Sequence, residues 1–259
     1  MAQRRAPRLY VANRLTPAGE VELDAGQLHY LRSVLRLGPG AAVAAFNAED
    51  GEWLCRIAEI GKDGVRLTVE RQLRSPEPGG GRDLWLVFAA IKRARLDWLV
   101  EKATELGVSA LLPVWTARTQ VERVNLERLR AHAIEAAEQS ERVSVPEIRA
   151  PETLQQVLAS WPAARRLILC DESGKGEPIV EAIASLPLGP LALLVGPEGG
   201  FAQTELDAIG KLTFVTRVGL GPRVLRAETA ALAAVAVVQA IAGDWRLIRP
   251  VDRACPMAD

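Results

Sequence analysis

Histidine is nearly absent from the 259-residue sequence, with His29 and His132 the only two. That excludes a multi-histidine metal centre and argues against a serine–histidine–aspartate triad. The three cysteines, Cys55, Cys170 and Cys255, stand far apart and form no CxxC pair. Neither a disulfide framework nor a zinc site is expected, and the pattern fits a reducing compartment. Aromatic residues make up only 5% of the chain, so its core has to be built from Ala, Leu and Val. No run approaches the roughly 20 apolar residues of a membrane span. Residues Met1 to Pro7 lack the apolar stretch of a signal peptide. A cytoplasmic protein with no metal and no membrane attachment is the expectation.

Net charge is missing as well, because 32 Lys and Arg offset 32 Asp and Glu. Nucleic-acid binders usually carry a basic excess. The balance is not local, however. Residues 1–36 hold Arg4, Arg5, Arg8, Arg14, Arg32 and Arg36 against Glu20, Glu22 and Asp24. Such a patch can hold phosphate even on a neutral chain.

What is present divides in two. Pro and Gly concentrate in Ser75-Pro76-Glu77-Pro78-Gly79-Gly80-Gly81, a composition that resists both helix and strand. Before it, short apolar-alternating segments predict strands at 8–12, 19–23, 42–46, 52–59 and 65–70, with one helix over 26–37. This reads as a small β-barrel over residues 1–74, followed by a linker over 75–82. After the linker, Leu84 to Ile91 is a continuous apolar run, the mark of a strand buried on both faces. Helix and strand patterns then alternate. Strands are expected at 111–114, 167–170, 191–195 and 214–218, with helices starting near Leu96, at 125–140, 177–186, 204–209 and 225–242. The expected class for residues 83–249 is α/β, a mostly parallel sheet with helices on both faces. Residues 250–259 read as a tail.

Ligands of such sheets bind beyond the carboxyl ends of the strands. Three glycine-bearing loops follow predicted strands: 171–176, 196–201 and 219–226. None matches GxGxxG or GxxxxGK[ST], so dinucleotide and P-loop readings are weak. Each loop alone could be an ordinary tight connection. Three of them at adjacent strand ends would make a pocket whose backbone can approach a ligand closely.

Two long segments are specific. Leu194-Val195-Gly196-Pro197-Glu198-Gly199-Gly200-Phe201 and Leu220-Gly221-Pro222-Arg223-Val224-Leu225-Arg226-Ala227-Glu228-Thr229-Ala230 resemble the signature of the 16S ribosomal RNA (uracil(1498)-N(3))-methyltransferase family. Further likeness lies in residues 29–36, 101–108, 137–142 and 145–148. There are departures: Glu141 stands where the family usually has Gly, residues 47–51 stretch its usual Asp-Gly turn, and Ala202 replaces a helix-capping Ser. The resemblance implies a SPOUT-type catalytic domain whose C-terminal part is a deep trefoil knot, behind an N-terminal PUA-like domain. General topology rules would instead predict an unknotted sheet.

The resemblance also implies S-adenosylmethionine (SAM) as methyl donor and 16S rRNA of the small ribosomal subunit as substrate. A homodimer through the knotted C-terminal region is implied too. Expected cofactor contacts are Leu169, Asp171, Val195, Gly196, Pro197, Glu198, Gly199, Gly200, Leu220, Gly221, Val224 and Leu225. The uracil N3 proton is weakly acidic, so a proton acceptor or an anion-stabilising cation should help its methylation. With so few histidines, the candidates are Arg226, Arg142, Glu198 and Glu228. For the glutamates and Arg226, a helix cap or an ion pair at a helix start is the plain alternative. Expected RNA contacts are Arg8, His29, Arg32, Arg36, Lys92, Arg93 and Arg118. His29, Arg32 and Arg36 would share one helix face, while Lys92, Arg93 and Arg95, in the first turn of their helix, would oppose its dipole, which makes an anionic partner there more plausible. The last helix is apolar nearly all round apart from Gln239, so something must cover it. Competing readings are ribose 2′-O-methylation of rRNA or tRNA, and a non-catalytic RNA-binding or assembly protein. A metabolic nucleotide-binding enzyme is a weaker fourth.

Overall fold

Two patterns of hydrophobic spacing give two structural units in the computed structural model, which describes residues 6–76 and 83–247. The first unit comprises residues 6–76 together with 137–145, and the second comprises 83–136 and 146–247.

The first unit is built on five strands: β1 (Arg8–Tyr10), β2 (Glu20–Leu23), β3 (Ala42–Asn47), β4 (Gly51–Ile60) and β5 (Val65–Arg74). They order as β1-β3-β4-β5-β2, with β1 parallel to β3 and the other pairs antiparallel. Val21 and Leu23 of β2, and Val65, Leu67 and Val69 of β5, are buried at a period of two, as a one-sided sheet requires. Asn47 shapes the stretched β3–β4 turn, its side-chain oxygen accepting from the Asp50 N–H at 2.7 Å and the Glu49 N–H at 3.0 Å. Gly51 closes that turn at φ +80°.

The helix expected over 26–37 is shorter and changes pitch. A capping box between Asp24 and Gln27 starts α1 (Ala25–His29). Tyr30–Val34 then form a π-turn, with the Leu35 N–H reaching back to the Tyr30 carbonyl at 3.0 Å. The wider turn lets Leu28 and Leu31 stay buried while Leu35 and Leu37 pack on the same core. Arg36 lies past the helix at φ +58°. His29, Arg32 and Arg36 are all exposed, but the single basic helix face expected of them is not formed.

Residues 137–145 belong to this unit because Arg8 collects them. Its guanidinium donates to the carbonyls of Ala137, Glu138 and Arg142 at 3.0, 2.8 and 2.7 Å. The same group pairs with Glu52 at 2.6 Å and lies 4.3 Å over the Phe46 ring. Burial lowers its pKa, and Glu52 only partly restores it.

The second unit is one sheet of eight strands. Its elements are β6 (Leu84–Ala89), α2 (Arg93–Glu105), β7 (Ala110–Trp115), α3 (Leu126–Gln139), β8 (Glu147–Ile148), β9 (Glu152–Thr153) and α4 (Leu154–Ala159). These are followed by β10 (Arg166–Cys170), β11 (Glu177–Pro178), α5 (Ile179–Ser185), β12 (Leu191–Val195), α6 (Gln203–Ile209), β13 (Val215–Gly219) and α7 (Ala227–Ala242). The order is β11-β13-β10-β12-β6-β7-β8, with β9 also on β7, and every pairing among the described residues is parallel. Val87, Leu112, Leu169 and Leu194 turn to the face covered by α4 and α6. On the other side α7 packs on β12 and β6 and against α2 and α5. The short strands β8, β9 and β11 and helix α4 carry too few residues to show a period, and the sequence pattern did not reveal them. Among the residues expected to form the linker and tail, 77–82 and 250–259 lie outside the described set.

The sheet's amino end is pinned by Arg165, buried at 5% exposure. It donates to the Asp83 and Leu191 carbonyls, both at 3.0 Å, and pairs with the Asp83 carboxylate. Trp85 lies between Arg165 at 3.6 Å and Arg149 at 4.1 Å. Burial alone would raise the Asp83 pKa, but hydrogen bonds from Arg165 and Ser109 outweigh it and hold it below the ordinary 3.8. A depressed carboxylate pKa stabilises the fold above the unfolded value, and that stability is lost as pH falls through the folded value. Urea midpoints of the protein should therefore drop below about pH 4 more steeply than those of Asp83→Asn. Equal slopes would remove Asp83 from the acid response.

Glu141 adopts φ +61°, the left-handed conformation, at the position where the resembled family has Gly. For a residue with a Cβ this costs about 1–2 kcal/mol, against roughly 0.5–1 kcal/mol of extra chain entropy for Gly. Glu141→Gly should raise unfolding stability by about 0.5–1 kcal/mol in denaturant titration, whereas Glu141→Val should lower it.

Candidate active site

Strands β13, β10 and β12 are adjacent and parallel, so the loops that follow them open at one edge of the sheet. The loops at 171–176, 196–201 and 219–226 therefore converge as expected. The segments after β6 and β7, which carry Lys92, with Arg93 opening α2 just beyond it, and Arg118, leave the same edge.

The first loop is tied to the third at its root. The Asp171 N–H donates to the Val218 carbonyl at 2.9 Å, and Asp171 Oδ1 accepts from the Ser173 N–H at 2.9 Å. Asp171 is buried, its Oδ2 has no hydrogen-bond partner among the described residues, and the nearest cation is Arg217 at 3.8 Å. In the second loop Gly196 lies under the Phe201 ring, where an added Cβ would come within 2.9 Å of the ring edge. Gly200 takes φ +67° with the Glu172 carboxylate packed against it, and a side chain there would be strained and displaced. The third loop is open: Gly221 has φ +91° and nothing within 4 Å of a notional Cβ, and Val224 is 90% exposed.

The carboxylates come together through one of the cations expected in the first turn of this helix, where an anionic partner is favoured. Arg95, in the first turn of α2, lies 3.2 Å from Glu198 and 3.6 Å from Glu228. Glu228 is buried in the first turn of α7, where the helix dipole favours a negative charge. Its Oε2 has no hydrogen-bond partner among the described residues. Glu198 is half exposed on the second loop. Arg226 immediately precedes α7 and is exposed. Its place in the first turn, against the helix dipole, marks Arg95 as a cation suited to an anion, but its partners lie 103 and 133 residues away and nothing local names them.

The remaining candidates divide. Leu169, Val195, Gly196 and Pro197 are buried at the strand ends, while Gly199, Leu220 and Leu225 line loop backbone that is at least partly open. Arg142 falls in the first unit, with its guanidinium 3.3 Å from the Ser144 hydroxyl. Arg8 is not available to RNA phosphates, because its donors are consumed inside the protein. Arg118 donates to the Gly199 carbonyl at 2.7 Å and so braces the second loop. Ala202 lacks a capping side chain, yet Glu205 accepts from its N–H at 2.8 Å and from the Ala117 N–H at 2.8 Å. Half of the capping box survives and ties α6 to the loop after β7. Among the described residues no cluster of His, Cys, Asp and Glu could hold a metal ion, and no helix is long and apolar enough to cross a membrane.

The family described as RNA methyltransferase domain matches residues 80–239, and that described as RNA methyltransferase PUA domain matches residues 23–70. Fold and loops thus define the class of RNA methyltransferases that carry a PUA domain. The ribosomal RNA small subunit methyltransferase E of Rickettsia conorii is 36% identical over 234 residues, covering 90% of this chain and 94% of that protein. The crystal structure of the same-named protein from Neisseria gonorrhoeae, bound to S-adenosyl methionine, matches with a TM-score of 0.82 and 25% identity. It covers 93% of this chain and 99% of its own. A methyltransferase from Legionella pneumophila, in complex with the bound cofactor SAM, matches with a TM-score of 0.81 and 29% identity, over 93% of this chain and 100% of its own. The chain belongs to the ribosomal RNA small subunit methyltransferase E family, and its fold is that of the SPOUT methyltransferases.

Cys170 ends β10, one residue before the first loop, but it is no nucleophile: burial pushes its thiol up to about 12. Cys55 is pushed up to about 11 by the same cause. Iodoacetamide at neutral pH should leave both unmodified in the folded protein and alkylate both in urea, as read by peptide mass spectrometry. Labelling of Cys170 without denaturant would show that the sheet edge opens.

Proposed function

We propose that this protein transfers the methyl group of S-adenosylmethionine to N3 of a uridine in 16S ribosomal RNA, the position equivalent to uracil 1498. The observation that carries this reading is the gathering of three glycine-bearing loops and two incompletely partnered carboxylates, Asp171 and Glu228, at one sheet edge. Relatives and solved structures of the same family, two of them SAM-bound, support it.

The residues fit the donor. Loops 196–200 and 219–225 expose backbone N–H and C=O groups, and the unsatisfied oxygens of Asp171 and Glu228 can accept from hydroxyl or ammonium groups. When bound, SAM supplies an activated methyl group on a sulfonium. Leu169, Val195 and Leu225 exclude water beside it, which such a displacement needs. Arg226 stabilises the negative charge that develops on the uracil as N3 loses its proton. Glu198 and Glu228, held by Arg95, are the proton acceptors within reach of the loops, and Arg95 keeps their oxygens in place. The base must be unpaired or extruded, because N3 is hidden in a base pair. Lys92 and Arg93 hold phosphates beside the site, and the exposed His29, Arg32 and Arg36 are phosphate contacts of the first unit itself.

In this reading residues 1–74, which 137–145 join in the structure, are the RNA-binding PUA domain, and the rest of 83–247 is the catalytic domain with a knotted C-terminal part. The protein works in the cytoplasm as a homodimer. Leu232, Ala233, Ala236 and Val237 of α7 remain only half covered, and Val180 on the neighbouring α5 is 54% exposed. Small residues there allow a second copy to approach closely.

The test is expression in bacteria lacking their own enzyme, followed by nucleoside mass spectrometry of small-subunit RNA. N3-methyluridine at the single site is expected, and a methyl group on a ribose, or nowhere, would overturn the assignment. Arg226→Ala should lower kcat by roughly 10²-fold, the scale of a lost anion stabiliser, with SAM affinity by calorimetry nearly unchanged. Unchanged turnover with a weakened dimer would make Arg226 structural.

A further inference from the structure

Beside the α2 amino terminus lies a cleft of about 450 Å³, of whose lining only Arg93 has so far been given a part. It is formed by the segment following β6, the first turn of α2, and residues 121–129, which lead from β7 into α3. Its floor is apolar, from Ile91, Leu96 and Val121. Its polar wall holds Arg93, Arg123 and Arg128 against one acid, Asp97. That acid is already engaged: Arg128 holds both of its oxygens, at 2.9 and 2.6 Å, and His132 stands 3.6 Å away. Hydrogen bonding to Asp97 raises the Arg128 pKa, as a committed pair should. Arg93 and Arg123 are exposed and have no carboxylate partner among the described residues. The cleft therefore keeps an apolar floor and two uncommitted guanidinium groups.

We propose that this cleft holds a single-stranded RNA nucleotide flanking the methylated one. Its base lies on the apolar floor, and Arg93 and Arg123 grip the adjoining phosphates. This inference rests on the proposed RNA substrate and deepens it. The volume falls in the range of small-ligand sites, about 300–1,000 Å³. Unpaired RNA is held by stacking of its bases on aromatic rings or guanidinium planes and by neutralising its backbone. None of the described residues lining the cleft is aromatic, so its arginines supply both the planes and the charge, over aliphatic side chains. The spacing identifies a neighbour rather than the target. Arg95, two residues after Arg93 and so on another side of α2, reaches Glu198 and Glu228 at the loops. Cleft and active site thus flank one helix end about 10 Å across, so a nucleotide in the cleft lies close along the strand to the methylated one. Cations in the first turn of α2 oppose its dipole, and a bound phosphate removes that conflict.

The test compares the full-length protein with Arg93→Ala/Arg123→Ala, Arg93→Lys/Arg123→Lys and, as control, Lys211→Ala, an exposed cation after α6. Fluorescence anisotropy with a short, labelled, uridine-containing single-stranded RNA is measured across salt concentrations. The double alanine variant should bind at least about tenfold more weakly, with a log–log salt slope lower by about 1.4, two phosphates at ~0.7 each. Its KM for small ribosomal subunits should rise at least about tenfold, with calorimetric SAM affinity unchanged. The double lysine variant should keep the slope, and Lys211→Ala should match the parent protein. Equal affinity and slope in the double alanine variant would overturn the proposal, as would an equal loss in Lys211→Ala or no RNA binding by the parent protein. RNA binding that depends on the cleft, without methylation of small-subunit RNA, would uphold the cleft and refute the proposed reaction.

Discussion

Parallel pairing of strands buried on both faces is the constraint from which the rest follows. Once β13, β10, β12, β6 and β7 run the same way, every carboxyl end falls at one edge, and so do the segments that leave it. The side chains obey this before any chemistry is considered. Alternate residues of each strand serve opposite faces, and only at the strand ends can glycine, glutamate and arginine appear without cost to the core. The active-site candidates are concentrated at that edge because the interior has no room for them.

Fixing that edge takes polar groups at both ends of the sheet. Arg165 closes the amino end with carbonyl and carboxylate contacts, and Arg95 gathers Glu198 and Glu228 at the other. The two arginines differ in exposure and in use. Arg165 is enclosed and permanently committed, as a structural pin must be. Arg95 is partly open to solvent and stands between a loop and a helix start, where a ligand can compete for its partners. Gln239 is fully buried in α7 and donates to the Leu106 carbonyl at 2.7 Å. It joins the end of α2 to the end of α7, so the helix bearing Arg95 and the helix bearing Glu228 keep a common register.

Much of this was legible in the residues alone. Continuous apolar runs located β6, β10 and β12, and the glycine-bearing segments after β10, β12 and β13 located the loops, because both depend on local composition. Helix α2 was visible from Leu96, Leu99, Val100 and Ala103, a spacing set by its own burial. Arg95 was visible as a cation set against its helix dipole, but its carboxylate partners were not, since they meet it only when three distant segments come together. The π-turn at Tyr30–Val34 was missed for a related reason: a 3.6-residue period was assumed where the core demanded a wider one. Arg8 was misjudged because a cation near the N-terminus looks alike in sequence whether it faces solvent or lies beneath a segment 130 residues away. The departure at Glu141 was seen as a letter change, and only the backbone angle gave it a physical meaning.

The attachment of residues 137–145 to the N-terminal sheet sets an order on biosynthesis. Arg8 finds its carbonyl partners only after the ribosome has added some seventy residues beyond β5. At bacterial elongation rates that is a wait on the order of ten seconds. During it the first five strands are complete in sequence, yet Arg8 is a cation with only Glu52 to neutralise it. The amino-terminal unit is thus contiguous on the surface of its sheet but interrupted along the messenger, and its last contacts form after half the chain has emerged.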